Sequence, residues 1–385
     1  MQPFTRKRIG ATLTGSVLVL ALCGAQPAHP AVEYVIHIVI DGVNSDMLQD
    51  LLENQNSGGD YDGFQRLIDE GASTYNARTD YTHTVTLPDH TSMLTGRPVL
   101  QPTGQPNTVH HGYTANGEPS PSTTLHNNQP FVSYVASTFD VVHDHGLKTA
   151  LYGSKSKFVI WQQTYTGAGG PDLIPPDNGT NKIDFYKVVA SRVFDSQLDD
   201  SKVMHDAFLL DMAAEHFNYT FLLYVDNDKS GHQYGWGSSE WDTTTAQVSR
   251  YLADVFKLVE TDPVLMGRTA ILVTTDHGGG VSDVMGHFCP TCPEHYTIPF
   301  YAWGPGVDAG SDFYALNTAS RTDPGRGRPD YNAASQPIRN GDSGNLALSL
   351  LGLPPVPGSS SNAAQDLVVS AQPRRQQAGQ QSTTE

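Results

Sequence analysis

The 385-residue sequence predicts an α/β protein built around a mostly parallel sheet. Short, continuous apolar runs rich in β-branched residues recur along the chain, as expected of strands that are buried on both faces. Helical segments lie between these runs, and this alternation is typical of βα units. We therefore expect helices on both faces of a central sheet. We also expect a ligand site beyond the carboxyl ends of its strands.

The first predicted strand, residues 34–40, is apolar except for His37, which we interpret as a core histidine. The strand ends at Asp41, and the following glycine favours a turn there. Further strands are predicted at 148–153, 219–225, 269–275 and 297–303, and helices at 64–71, 132–145, 203–217, 244–260 and 345–351. The Gly-, Pro- and Asn-rich segments 97–131 and 161–182 are predicted loops, the first of them an active-site loop.

The ends of the chain differ in composition from its body. Basic residues 6–8 and the apolar run 13–22 are typical of an export signal, and we assign residues 1–28 to a signal peptide. The apolar run is too short to predict a membrane span. The predicted catalytic domain covers 32–368, and the polar, Gln-rich segment 369–385 is a predicted disordered tail. The protein is therefore expected in the periplasm or outside the cell.

Charge and cysteine content narrow the function classes. The formal net charge of -17 argues against nonspecific nucleic-acid binding, because no basic face is available. It does not exclude a phosphate substrate, since bound metal ions can dominate the local field. Cys289 and Cys292 form a Cys-Pro-Thr-Cys motif. In an oxidising compartment we favour a local disulfide there, over a redox site or half of a zinc site.

A candidate nucleophile lies in the stretch 84–96. Pro88 fits the first turn of a helix, where a missing N–H costs nothing. Thr86 would then lie next to the helix N-terminus, where free amides and the helix dipole favour an anion. Its hydroxyl is therefore a candidate for attack on a phosphoryl group. The alternative is that Thr86 only caps the helix.

Acidic and imidazole side chains follow several of the predicted strands. The set consists of Asp41, Asp228, His232, Asp276, His277 and His287. Asp228 and His232 are four residues apart, which brings both onto one side of a turn, with Gly231 easing the bend. Asp276 and His277 can serve one metal only if the chain leaves strand geometry, which the glycines that follow permit. Carboxylate and imidazole ligands without cysteine suit zinc, and this number suits two ions.

These motifs, in this order, resemble the alkaline phosphatase superfamily, and most closely its type I phosphodiesterase/nucleotide pyrophosphatase family. The resemblance runs from about Val35 to Leu353 and implies an alkaline-phosphatase-like fold. Four segments carry it: Thr-Leu-Pro-Asp-His at 86–90, His-Gly-Tyr-Thr-Ala-Asn at 111–116, Asp-Lys-Ser-Gly-His at 228–232 and Asp-His-Gly at 276–278. The first departs from the family's Thr-Phe-Pro-Asn-His at Leu87 and Asp89.

The resemblance implies roles for these residues. Thr86 would be the nucleophile, and Asn116 would hold a phosphoryl oxygen. One zinc would bind Asp228, His232 and a late histidine, and the other Asp41, Asp276, His277 and the Thr86 oxygen. We favour His287 as the late histidine, because a glycine precedes it and its spacing fits, with His295 as the alternative.

The predicted function is a two-zinc phosphodiesterase or nucleotide pyrophosphatase that acts on a small phosphate ester or nucleotide through a phosphothreonine. A sulfatase would need Cys or Ser in a Cys/Ser-x-Pro-x-Arg context, which is absent from the central motif. A phosphomonoesterase is the alternative within the superfamily, and a non-catalytic binding protein is the alternative outside it. Lys155, Lys157, Trp161 and Tyr165 either shape the leaving-group site or are surface and packing residues.

Overall fold

The computed structural model describes residues 32–54, 61–167, 169–170, 175–189 and 200–371. The predicted signal peptide and most of the predicted tail lie outside these ranges. Residues 369–371, which belong to the predicted tail, pack on the domain. Val369 is buried, and its carbonyl accepts a hydrogen bond from the Asp308 N–H at 2.9 Å.

The described strands form one eight-stranded sheet in the order β4-β3-β5-β1-β6-β7-β2-β8. The strands are β1 (Tyr34–Ile40), β2 (Ala72–Arg78), β3 (Thr149–Gly153), β4 (Phe185–Val188), β5 (Tyr219–Tyr224), β6 (Thr269–Thr274), β7 (Thr297–Trp303) and β8 (Ser311–Asp312). Strand β7 runs antiparallel to both of its neighbours, and every other pair is parallel. The predicted mostly parallel sheet is confirmed.

Helices cover both faces of this sheet. They are α1 (Ser45–Asn54), α2 (Asp62–Asp69), α3 (Thr86–Thr95), α4 (Thr138–Asp144), α5 (Val159–Tyr165), α6 (Asp200–Glu215), α7 (Asp226–Tyr234), α8 (Ser239–Thr261), α9 (Pro293–Tyr296), α10 (Phe313–Leu316) and α11 (Asp342–Leu350). Alternate residues of β1 enter two separate cores. Val35 and Val39 pack on the face of α3, α4 and α11, and Ile36 and Ile38 on the face of α2, α6 and α8. A strand buried on both sides is apolar throughout, which is why β1 was predictable.

Three predicted elements need correction. The loop predicted at 161–182 begins later than expected, because residues 161–165 belong to α5 (Val159–Tyr165). The helix predicted at 132–145 begins only at Thr138. Ser137 and Asp140 form a capping box there, and this reciprocal pair of hydrogen bonds defines a helix start. The turn expected around Asp228 is the helix α7, so Gly231 does not ease a bend. Its absent side chain makes room for Trp236, because a Cβ atom on Gly231 would lie 2.5 Å from the Trp236 ring.

The fold brings the ends of three central strands together. Strands β5, β1 and β6 are neighbours and parallel, so the residues that follow them lie at one edge of the sheet. None of the described helices combines the length and the apolar character that crossing a bilayer requires. The predicted local disulfide is confirmed, and Cys289 and Cys292 form it within one loop at this edge.

Candidate active site

Three buried carboxylates meet at the edge of the sheet. Asp41 follows β1, Asp276 follows β6, and Asp228 lies in the first turn of α7, just after β5. One oxygen of each carboxylate is buried and has no hydrogen-bond partner within the described ranges: Asp41 Oδ1, Asp228 Oδ1 and Asp276 Oδ2. Buried polar atoms are normally paired, so three unpaired acceptors in one place have the chemistry to hold a cation.

Gly42 allows two of these carboxylates to approach each other. Its φ is +75°, and a Cβ atom at this position would lie 2.8 Å from the Asp228 Cα atom. Its N–H donates to Asp276 Oδ1 at 3.1 Å. The turn after β1 therefore requires glycine both for its backbone conformation and for the close contact with α7.

Three histidines point their Nε2 atoms at the carboxylates. Each uses its Nδ1 against a backbone carbonyl: His232 on Met285 at 2.8 Å, His277 on Gly278 at 2.8 Å and His287 on Thr84 at 2.6 Å. A carbonyl only accepts, so in each ring Nδ1 carries a proton, and Nε2 has a free lone pair whenever the ring is neutral. This is the arrangement that metal-binding histidines usually have.

The Nε2 atoms of these rings converge on the carboxylates. His232 Nε2 lies 3.4 Å and His287 Nε2 3.7 Å from Asp228 Oδ1. His277 Nε2 lies 3.2 Å from Asp276 Oδ2, 3.5 Å from Asp41 Oδ1 and 4.0 Å from Asp228 Oδ1. The His277 ring nitrogen thus lies within 4.0 Å of an oxygen of all three carboxylates.

His295, the alternative late histidine, is used elsewhere. Its Nδ1 accepts the Cys289 N–H at 3.1 Å, and its Nε2 faces the Gly280 carbonyl at 3.3 Å. Both ring nitrogens therefore contact backbone groups, one at Cys289 of the disulfide and the other at Gly280. The structure brings His287, and not His295, to Asp228.

One residue near the carboxylates was not singled out from the sequence. His90 is buried one turn after Thr86 in α3, and its Nδ1 lies 2.8 Å from the Thr86 carbonyl and 3.4 Å from Asp276 Oδ2. Its Nε2 is buried without a partner among the described residues. The sequence signal was its spacing of four residues from Thr86, which puts both on one helix face.

The side chains that could hold a metal ion form two compact groups at this edge. One consists of Asp41, His90 and Asp276, and the other of Asp228, His277 and His287. The atoms within each group lie within 4.8 Å of one another. His232 lies beside the second group, and its side chain is 38% exposed.

Electrostatics at this edge favour bound cations. Burial and the neighbouring Asp41 raise the pKa of Asp276 well above its usual range. Burial opposes ionisation of Asp228 too, but Lys155 holds the pKa of Asp228 well below its usual range. Burial lowers the pKa of His277 to about 3 and that of His287 to about 2, so both rings stay neutral and able to bind metal. The residues fit divalent ions, because within the described ranges a single lysine pairs with these carboxylates and reaches only two of the three.

Lys155 is the lysine that pairs with the carboxylates. Its Nζ lies 2.7 Å from Asp41 Oδ2 and 2.6 Å from Asp228 Oδ2, so it bridges the two groups. Lys157 lies beside it, with its Nζ 3.0 Å from Asn116 Oδ1. Trp161 and Tyr165, in contrast, are fully buried in the core, so for them the packing interpretation holds.

Thr86 is the first residue of α3 and does not cap it. The N-cap is Val85, and the Thr86 hydroxyl makes no hydrogen bond within the described part of the chain. Asp89 supports the turn before the helix, because its two oxygens accept the Asp80 N–H at 3.0 Å and the Val85 N–H at 2.8 Å. Asp89, which departs from the family motif, therefore stabilises the backbone before α3 and belongs to neither of the two groups of metal-binding candidates.

Asn116 reaches this helix start from the loop 97–131. Its Oδ1 accepts the Leu87 N–H at 3.0 Å and the Lys157 ammonium at 3.0 Å. With Oδ1 occupied, the amide Nδ2 is the group left to donate to a ligand. The Thr86 hydroxyl, the Asn116 amide and the Lys157 ammonium thus surround the N-terminus of α3, which itself favours an anion.

The fold and this arrangement of acidic, imidazole and hydroxyl groups define an alkaline-phosphatase-like hydrolase class. Sequence comparison then identifies the family. The profile of the type I phosphodiesterase/nucleotide pyrophosphatase family matches residues 35–287, and the chain belongs to that family. Among curated proteins, none matches the sequence significantly.

Solved structures support the fold assignment. Murine ectonucleotide pyrophosphatase/phosphodiesterase 5, in an inactive form with AMP, superposes with a TM-score of 0.54 at 13% identity, over 87% of this chain and 99% of that chain. A mutant of the alkaline phosphatase PafA gives a TM-score of 0.57 at 13% identity, over 89% and 100%. A 2-O glycosaminoglycan sulfatase gives 0.52 at 14% identity, over 88% and 74%. Because this chain resembles hydrolases of phosphate esters and of sulfate esters alike in fold, the substrate has to be argued from the site.

Proposed function

We propose that this protein is an exported phosphodiesterase of the nucleotide pyrophosphatase kind, which holds two zinc ions and acts through a phosphothreonine intermediate. One observation carries the proposal. A buried threonine hydroxyl without a hydrogen-bond partner in the described ranges begins a helix, one turn before a histidine that contacts Asp276. The proposal of export rests on the N-terminal sequence alone.

The donor set suits zinc, because it combines carboxylates with neutral imidazoles and contains no thiolate. When bound, the ions supply Lewis acidity, which lowers the pKa of a hydroxyl and offsets phosphoryl charge. One ion would be held by Asp228, His232 and His287, and the other by Asp41, Asp276, His277 and the Thr86 oxygen. We place His277 with the second ion because its Nε2 lies closer to Asp276 Oδ2 (3.2 Å) and Asp41 Oδ1 (3.5 Å) than to Asp228 Oδ1 (4.0 Å). His90 adds a further imidazole beside Asp41 and Asp276.

The chain's own groups then carry out the chemistry. The Thr86 Oγ–phosphorus bond forms as the ester P–O bond breaks, the leaving oxygen takes the electron pair, and the hydroxyl proton passes to water in the site. The Thr86 N–H and the Asn116 amide donate to phosphoryl oxygens, where they stabilise developing charge. Water then cleaves the phosphothreonine, which releases a phosphate monoester and restores Thr86.

Hydrolysis of two nitrophenyl esters tests this proposal. We expect kcat/KM for bis-p-nitrophenyl phosphate to exceed that for p-nitrophenyl phosphate by at least about tenfold, since this ratio reports differential binding of the transition state. A chelator should abolish both activities, and added zinc should restore them. If zinc-loaded protein hydrolyses neither ester, the non-catalytic binding protein is the better interpretation.

One observation favours phosphomonoesters as a second candidate. Two lysines, Lys155 and Lys157, lie within 2.7 Å of Asp41 and 3.0 Å of Asn116, respectively. A monoester dianion carries one more negative charge than a diester, so it gains more from neighbouring ammonium groups. A strong preference for the monoester in the ester assay would favour this candidate.

Replacing Lys157 with methionine distinguishes the two candidates further. If monoesters are the substrate, Lys157→Met should lower kcat/KM for p-nitrophenyl phosphate by about 10- to 100-fold, the effect of losing one charge-assisted contact. Burial and repulsion from Lys155 lower the pKa of Lys157 to about 8. The ammonium is the form present below that pH, so wild-type monoester activity should also decline as the pH rises through about 8.

Two features of that experiment provide its controls. Lys148→Met removes an exposed lysine paired with Glu215 and should change neither activity. The decline above pH 8 should be absent from Lys157→Met. An equal, small change in monoester and diester hydrolysis on Lys157→Met would remove Lys157 from substrate discrimination.

A further inference from the structure

Four large apolar side chains are exposed next to the metal-binding histidines. Val281, Val284, Met285 and Phe288 are 60%, 55%, 47% and 63% exposed, and all lie in one eight-residue stretch. We call these four residues the apolar rim. Scattered apolar residues on a surface need no explanation, but a cluster beside a candidate active site does.

The apolar rim is carried by a loop that the backbone holds firmly. The Gly280 N–H donates to the Gly286 carbonyl at 2.9 Å, and the Gly286 N–H to the Asp283 carbonyl at 3.0 Å. The Trp236 N–H donates to the Val284 carbonyl at 3.0 Å. Val281 has a φ of 61°, a strained conformation for a β-branched residue, and such strain is concentrated at functional sites. The loop therefore presents its apolar side chains outward in a defined arrangement.

The apolar rim is continuous with the second ligand group. The Met285 carbonyl holds the His232 ring at 2.8 Å. The Phe288 ring stacks near His232 at a centroid distance of 6.2 Å and an angle of 26°, and it lies 4.3 Å from the His287 ring. An exposed aromatic face therefore borders His232 and His287 at the opening of the site.

The direction of phosphoryl transfer suggests which part of a substrate would lie against the apolar rim. Attacking and leaving oxygens lie roughly in line on opposite sides of phosphorus. Thr86 lies in one helix with His90, which belongs to the group with Asp41 and Asp276. Under the proposed function, with Thr86 assigned to the ion of Asp41 and Asp276, the leaving group faces the group of Asp228 and His287, beside which Phe288 and Met285 are exposed.

We infer that the apolar rim binds the leaving group of the substrate, and that this group is apolar, such as an aryl or long alkyl alcohol. Phe288 is the specificity-determining residue, because it offers a flat exposed ring beside the departing oxygen. This inference rests on the proposed function. It adds to it the chemical class of one half of the substrate.

The test uses two substrates that transfer the same thymidylyl group. Thymidine 5′-monophosphate p-nitrophenyl ester loses p-nitrophenolate, an aryl leaving group, whereas thymidine 5′-triphosphate loses pyrophosphate, a charged one. Phe288→Ser should lower kcat/KM for the aryl ester by about tenfold, mainly through KM, which is the scale of one lost aromatic contact. The triphosphate should change by less than about twofold, since its leaving group gains nothing from an apolar ring.

Matched variants separate this effect from damage to the metal site. Phe288→Trp keeps an aromatic ring and should retain activity on the aryl ester. Leu210→Ser removes another exposed apolar side chain, from α6, and should have no effect. Metal content should stay at the wild-type value in all three variants.

Equal losses on both substrates, or no loss on either, would overturn the inference. In the second case the apolar rim would serve a lipid surface or a protein partner instead. If the wild-type protein turns over neither substrate, nor the nitrophenyl esters above, the proposed function itself fails. The two failures are therefore distinguishable.

Discussion

Thr86→Ala should reduce turnover of every phosphate ester by at least about 10³-fold while the zinc content stays near two ions per chain. The expected loss is large because the substitution removes the attacking atom, and the hydroxyl of Thr84, two residues earlier, is engaged in a hydrogen bond to the His287 carbonyl. The metal content should persist because the carboxylates and imidazoles supply most of the ligands. Steady-state kinetics and elemental analysis of the same samples measure both quantities.

A covalent intermediate gives this prediction a second measurement. Acid quenching of wild-type enzyme during turnover should trap phosphate on the peptide that contains Thr86, and Thr86→Ala should trap none. Thr86→Ser keeps the hydroxyl and should retain much of the activity. A fully active Thr86→Ala variant with the wild-type Tm would remove Thr86 from the role of nucleophile.

His287→Gln should remove about one metal ion per chain and reduce kcat/KM by about 10³-fold, since a Lewis acid contributes several kcal/mol to the transition state. The His287 Nε2 faces Asp228 Oδ1 at 3.7 Å, while its Nδ1 is held by the Thr84 carbonyl. Glutamine preserves approximate volume, but it does not provide an imidazole lone pair held in this way. Elemental analysis and activity assays at saturating and limiting zinc provide the measurement.

His295→Gln is the matched control, because His295 is also buried and lies only eight residues further along the chain. Both of its ring nitrogens are engaged with the loop backbone, so we expect a lower Tm but two bound ions. If His295→Gln loses the ion and His287→Gln keeps it, the assignment of the last ligand is reversed. If neither variant loses an ion, neither histidine is a ligand.

The central strands were predictable because their local sequence reports their burial. The strand predicted at 297–303 is observed at those residues, and β1 is observed at 34–40, since buried strands need long apolar runs. Strand β2 escaped prediction because it lacks a continuous apolar run and includes the polar residues Ser73, Thr74 and Asn76, several of its side chains being only half-buried. Its position depends on pairing with β7, more than two hundred residues away.

The site was predictable in composition but not in detail. The predicted carboxylates and the histidines His232, His277 and His287 lie together, since parallel strands bring their carboxyl ends to one edge. The inward position of His90 depends on how α3 packs against Asp276, which spacing alone does not reveal. Lys155 reaches Asp41 and Asp228 only because β3 lies next to β5 in the sheet.

By itself, the sequence determined the fold class, the family and the residue types of the candidate site, because burial patterns and short motifs are local properties of the chain. The tertiary structure alone decided which nitrogen of each histidine faces the carboxylates, that His287 rather than His295 meets Asp228, and that Phe288 is exposed beside them. These outcomes depend on contacts between distant segments. The energy of such contacts is set by packing and hydrogen bonding in three dimensions, which no local pattern encodes.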